Sequence, residues 1–196
     1  VVQVEGSSRT VEGESQPDLP SQELTDAVLY EFLLAEIAGQ RGNVGLSAQA
    51  YADLAKRTGD PRIAQRATEI AVMARMNNVA LESARIWNAT DPKSSRALQM
   101  LAGLLVASGQ LDEAFPHLQK ILSSRNARPA DAFQQLGRTL GGVKDKEAAL
   151  RLTQKLAAAY SNLPEARVAV AQAAYAAGHD SVALSEIKQV RSEEHT

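Results

Sequence analysis

A pair of small residues twelve positions apart recurs five times in this chain, and that spacing limits the fold more than any other feature. Each first member follows a large apolar residue and has another apolar residue three positions on: Leu34-Ala35 with Ala38, Ile70-Ala71 with Ala74, Leu101-Ala102 with Leu105, Leu136-Gly137 with Leu140, and Val170-Ala171 with Ala174. The second members are Ser47, Ser83, Ala114, Ala149 and Ala183; four residues after each stands Tyr51, Trp87, Leu118, Thr153 or Ile187. Successive repeats are offset by 36, 31, 35 and 34 residues. Turn signals fall between the paired residues, at Gly42-Asn43, Asn77-Asn78, Gly109, Gly141-Gly142 and Gly178. Glycine after one helix and proline in the first turn of the next is the expected punctuation of α-helices.

The spacing has a physical reason. Two antiparallel helices come close only where neither carries a large side chain at the crossing, so Ala35/Ser47, Ala71/Ser83, Ala102/Ala114, Gly137/Ala149 and Ala171/Ala183 are the expected crossings. The bulky residues that follow, Tyr51, Trp87 and Leu118 among them, then fill the groove toward the next hairpin. Such a hairpin cannot bury its own apolar face, and stacking on its neighbours supplies the core. Thr153 is a small filler for that groove, and Pro116 removes one hydrogen bond about a turn into its helix. The second repeat closes early, at "NATDP", which predicts a shift of the hairpin after it.

Composition agrees with an all-α chain. Aromatic residues make up 4% of the 196, alanine is abundant, and strand-like alternation is nearly absent. Residues 1–20 are rich in Gly, Ser, Glu and Pro and read as a linker or tail, on which Val1, Val2, Val4 and Val11 could pack against a neighbouring surface. Five hairpins follow, at about 22–58, 60–90, 93–123, 128–160 and 163–192. After Val190 only "RSEEHT" remains, too short to cap an array that ends at 193–196, so further repeats, or another copy, are expected over Val182, Leu184 and Ile187 of the last hairpin.

The pattern resembles the tetratricopeptide repeat, a helix-turn-helix of 34 residues, over residues 22–192. The resemblance implies a right-handed superhelical solenoid that binds protein. It also implies a groove lined by the first helix of each hairpin, at set positions. Those positions carry Phe32, Glu36 and Gln40; Gln65, Thr68, Val72, Arg75 and Met76; Arg96, Gln99 and Val106; Asp131, Gln134 and Arg138; and Glu165, Gln172 and Tyr175. Members that hold a peptide's terminal carboxylate use Lys and Asn at the fifth and ninth positions. Here Phe32/Glu36, Thr68/Val72, Gln99/Gly103, Gln134/Arg138 and Val168/Gln172 stand there, a set better suited to extended polypeptide or a partner helix.

A narrower resemblance rests on "LLAEIAGQRG", "DPRIAQRATEIA" and the Ala84-Arg85…Trp87 stretch, all within residues 30–87. These resemble proteobacterial outer-membrane lipoproteins in which a tetratricopeptide array serves as adaptor for a periplasmic carboxyl-terminal processing protease. The resemblance implies a periplasmic protein tethered to the outer membrane, with that protease as partner. Its members are longer and carry a lipidated cysteine, so this chain would be a fragment without the anchor. The alternative is a generic scaffold for a secretion, pilus or polysaccharide complex, or a cytoplasmic protein.

Catalytic and ligand chemistry is sparse. His117, His179 and His195 lie in separate repeats or at the end, without a second ligand at i+3 or i+4, so no metal site is expected. There is no G-x-S-x-G elbow, and "GGVKDK" lacks phosphate-loop spacing and reads as a helix–helix turn. No enzymatic activity and no cofactor are expected. With 21 basic against 23 acidic residues, the chain lacks the positive excess of a nucleic-acid binder. Without cysteine there are no disulfides, and without an apolar run of 18 or more residues no segment spans a membrane.

Overall fold

The computed structural model describes residues 23–124 and 127–193, with side chains described as far as Arg191. The tail reading of residues 1–20, and His195, lie outside the described residues. Among the described residues there are ten α-helices and no strand. They are α1 (Asp26–Gln40), α2 (Val44–Thr58), α3 (Pro61–Met73), α4 (Asn77–Thr90), α5 (Ser95–Ala107), α6 (Leu111–Leu122), α7 (Pro129–Leu140), α8 (Lys146–Ala157), α9 (Pro164–Ala176) and α10 (Asp180–Glu193). One turn of 3-10 helix, Ala158–Tyr160, extends α8. The chain is an all-α solenoid of five hairpins, α1/α2 to α9/α10.

Local chemistry explains the helix starts. Thr25, Asn43, Asp60, Ser94 and Asp145 each accept a backbone N–H of the first turn through a side-chain oxygen, satisfying a donor with no partner inside the helix. Pro61, Pro129 and Pro164 open α3, α7 and α9, where a missing N–H costs nothing. α6 runs on through Pro116.

The turns inside the hairpins divide into two kinds. In the first hairpin Asn43 donates to Ala38 O and Gly42 to Gly39 O, with Gly42 left-handed at φ +77°. This paired closure recurs at Met76/Arg75, Gln110/Gly109 and His179/Gly178. In the second hairpin the left-handed residue is Arg75, at φ +56°, a conformation that costs a side-chain-bearing residue about 1–2 kcal/mol. The fourth hairpin closes differently. Gly141 and Gly142 have no positive φ, Val143 donates to Leu140 O, and five residues separate α7 from α8 where three separate the helices of the other hairpins.

Packing follows the turns. α1 to α5 stack in sequence, each helix against the next. Their core is mostly alanine (Ala35, Ala48, Ala55, Ala64, Ala67, Ala71), with Tyr51, Ile70 and Trp87 as its large members. The second core, from Leu81 to Ala169, is built from leucine, with fully buried Phe133 edge-on to Tyr160 at 5.6 Å between ring centres. There α7 lies closely against α9 and stands away from α8. A small third cluster (Leu150, Val170, Ala174, Ala183) holds the last hairpin.

Candidate binding surface

The expected crossings come out unequal. Ala35 and Ser47 are buried, and Ser47 Oγ donates to Ala35 O at 2.8 Å, so the first crossing is hydrogen-bonded as well as close. Ala71 and Ser83 are both fully buried, but Ser83 Oγ has no hydrogen-bond partner among the described residues. Ala102/Ala114 and Ala171/Ala183 are buried pairs. The fourth crossing departs from expectation. Gly137 and Ala149 line an open cavity of about 230 Å³ between α7, α8 and α9, and the side chain lying over Gly137 is that of Gln172 from α9. Thr153, small for its groove, is buried and satisfied by donating to Ala149 O at 2.8 Å. Tyr51 and Trp87 fill their grooves as expected, whereas Leu118 stays half-buried on the wall of a cleft.

The expected groove residues need several corrections. Thr68 is fully buried and donates to Ala64 O in its own helix, facing the core rather than solvent. Arg75 and Met76 lie beyond the end of α3, Arg75 exposed in the turn and Met76 half-buried against the alanine core. Counting assumed a longer helix; the left-handed turn at Arg75 ends it at Met73. Val106 is buried. Arg96 is exposed but tied to Glu69 of α3 at 2.8 Å, and the same oxygen accepts from Gln65 at 2.9 Å. Glu36 accepts from Tyr51 Oη, and Phe32 meets the Tyr51 ring edge-on with centroids 6.2 Å apart. Burial first, and then the Glu36 carboxylate, push the Tyr51 hydroxyl up to about 12, against the pull of nearby Arg66.

Phe32, Gln40, Val72, Gln99, Gln134, Arg138, Gln172 and Tyr175 are exposed. Two clefts collect part of this set. Glu36 and Gln40 line one of about 280 Å³ between α1 and α3, joined by Arg66 and Met73, which position counting passed over. Gln99 lies in the other, of about 350 Å³, which opens between α5, α6 and α7. Its floor is apolar (Ala102, Val106, Leu118, Ile121, Leu122, Leu136, with Leu156 from α8), and Gln99, Gln135, Thr139 and the paired Arg128 and Asp131 supply the polar groups. No motif predicts this cleft. It exists because α5 and α7 stand further apart than α7 and α9.

Such a site can hold apolar side chains on its floor while its amides bond a polypeptide backbone. It carries little net charge. Among the described residues no group of three or more His, Asp or Glu could hold a metal ion, and no helix is long and apolar enough to cross a membrane. His179 pairs on the surface with Glu147 at 2.7 Å, joining the turn before α10 to α8.

The architecture is shared with known proteins. No family model matches the chain. A TPR repeat-containing protein of Pseudomonas aeruginosa is 30% identical over 97 residues, 50% of this chain but only 16% of that protein's length. Among solved structures, MamA protein aligns over 87% of this chain and 93% of its own, at 16% identity and a TM-score of 0.50. YrrB, a TPR protein with an unusual peptide-binding site, aligns over 83% of this chain and 84% of its own at 15% identity and a TM-score of 0.48. Over half of its length the chain is thus similar in sequence to a tetratricopeptide repeat protein, and in fold it is similar to MamA protein.

Proposed function

We propose that this chain is a non-catalytic protein-binding module whose first-helix face takes an extended polypeptide or a partner helix. The observation that carries the reading is the cleft between α5, α6 and α7, with its leucine floor and amide rim of Gln99 and Gln135. Apolar pockets with a few placed polar groups are the usual form of a binding site. Uncharged amides suit backbone N–H and C=O groups better than a carboxylate or phosphate.

The narrower part of the proposal is an adaptor role. The chain forms repeats of a lipid-anchored bacterial envelope protein that brings a carboxyl-terminal processing protease to its substrates, in the periplasm at the outer membrane. The motifs within residues 30–87 and the similarity to a much longer bacterial TPR repeat-containing protein support it.

Capture from bacterial envelope extract, followed by mass spectrometry, tests both parts. The expected result is recovery of a processing protease, together with unfolded envelope proteins whose capture is lost in Gly103→Leu. Gly103 lines the cleft, and a Cβ there meets nothing within 4 Å, so leucine fills the cleft without disturbing the helix. Reproducible capture of other proteins without any protease would sink the adaptor reading. Undiminished capture by the G103L protein would sink the cleft reading.

A further inference from the structure

The largest group of exposed apolar side chains lies, Val44 apart, outside the binding clefts. Thirteen large hydrophobic residues are exposed among those described, and eight of them fall between Leu24 and Leu46. At 100° per residue Leu29, Tyr30, Leu33 and Ile37 form one stripe of α1, opposite the Ala35 and Ala38 side that packs on α2. An apolar stripe along both sides of a helix is the pattern of an element buried on both sides, and α1 has a described neighbour on one side only.

We propose that this stripe is a two-fold interface with a second copy of the chain, the two α1 helices packing antiparallel about Leu33. A two-fold contact requires a patch complementary to itself, so each residue must find its mate elsewhere on the same patch. Pairing about Leu33 sets Leu29 against the second copy's Ile37, and brings Leu24 to its turn at Gly42, two residues before Val44. The charges agree. α1 has carboxylates at its start, Glu23 and Asp26, and a cation just past its end, Arg41. Antiparallel packing brings each acidic end to the basic end of the other helix, and the two helix dipoles oppose favourably. Of the other carboxylates of α1, Glu31 is paired with Arg57 at 2.7 Å, and Glu36 accepts from Tyr51 and lines the cleft shared with Arg66. A tail folded back over the stripe would bring Glu5, Glu12, Glu14 and Asp18 against only Arg9 of its own. Such a tail would place acid beside the acidic end of α1, so charge favours the second copy.

Sedimentation velocity of the full chain between about 1 and 500 µM, the range for interfaces of modest area, reads the proposal directly. A reversible dimer is expected. Leu33→Glu, at a half-exposed site that leaves the fold measurable by circular dichroism, raises its dissociation constant about tenfold or more. Asp26→Lys and Arg41→Glu each weaken it by about threefold to fivefold, and the D26K/R41E double variant restores it, which simple misfolding cannot mimic. A monomer at every concentration overturns the proposal. So does a dimer indifferent to L33E and the charge exchange, or an open-ended oligomer abolished by Ile187→Lys, which would mean head-to-tail stacking through the last hairpin. The interface and the cleft between α5, α6 and α7 use different surfaces, so capture of a partner by a monomeric L33E protein leaves the function above untouched.

Discussion

The second and fourth hairpins carry the same spacing between small residues and have opposite interiors. In the second, Ala71 and Ser83 are fully buried, Ala71 in an alanine core that also holds Trp87; in the fourth, Gly137 and Ala149 face a cavity. The difference lies in the turns. A three-residue turn with a left-handed residue folds the second hairpin tightly, whereas the five-residue segment 141–145 lets α7 leave α8 for α9. Small residues permit close approach without enforcing it. The tight half is where substitutions should be felt; the open half is where a ligand has room.

The largest test of that contrast compares two groove fillers. Trp87→Ala empties a nearly fully buried site and is expected to cost about 3–5 kcal/mol in urea denaturation. Leu118→Ala, on the wall of an open cleft, is expected to cost about 1 kcal/mol. Equal losses would mean the two halves are packed alike.

Within the tight half, Arg75→Gly relieves the left-handed strain of the second turn and is expected to stabilise by about 1 kcal/mol. No gain in midpoint would show that the Arg75 side chain makes compensating contacts. Of similar size is the contrast between the crossing serines. Ser47→Ala loses its bond to Ala35 O and should cost about 1 kcal/mol, while Ser83→Ala removes an unpartnered hydroxyl and should be neutral or stabilising.

The smallest effect is on pH. The Arg62 guanidinium holds the Asp60 carboxyl below the usual carboxylate range, aided by backbone N–H donors of α3 and opposed by partial burial. With a depressed folded value, this stabilisation is complete above the unfolded value, near ~4, and is lost as pH falls through the folded one. Thermal midpoints from about pH 6 down to about pH 3 should therefore fall less steeply for Asp60→Asn, which keeps the cap but not the charge. An unchanged slope would remove Asp60 from the acid response.

Much of the architecture was legible because its signals are local. Thr25, Asn43, Asp60 and Ser94 announce helix starts by their own chemistry, and Gly42, Gly109 and Gly178 announce turns. Arg75 announced nothing, since arginine rarely takes a left-handed backbone, and the positions counted past it, Arg75 and Met76, fell off the helix face. Thr68 misled for another reason. A threonine can satisfy its hydroxyl on the preceding turn, at Ala64 O, and then behave as a small core residue.

The sequence by itself determined an all-α chain and where most of its turns fall, because those depend on periodicity and on caps within a few residues. Only the tertiary structure decided which crossings close, where the cleft beside Gln99 opens, and that the outer side of α1 is as apolar as its inner one is small. Those depend on the angle between helices, set by turn backbone and by volumes from distant segments, and spacing along the chain does not encode that angle.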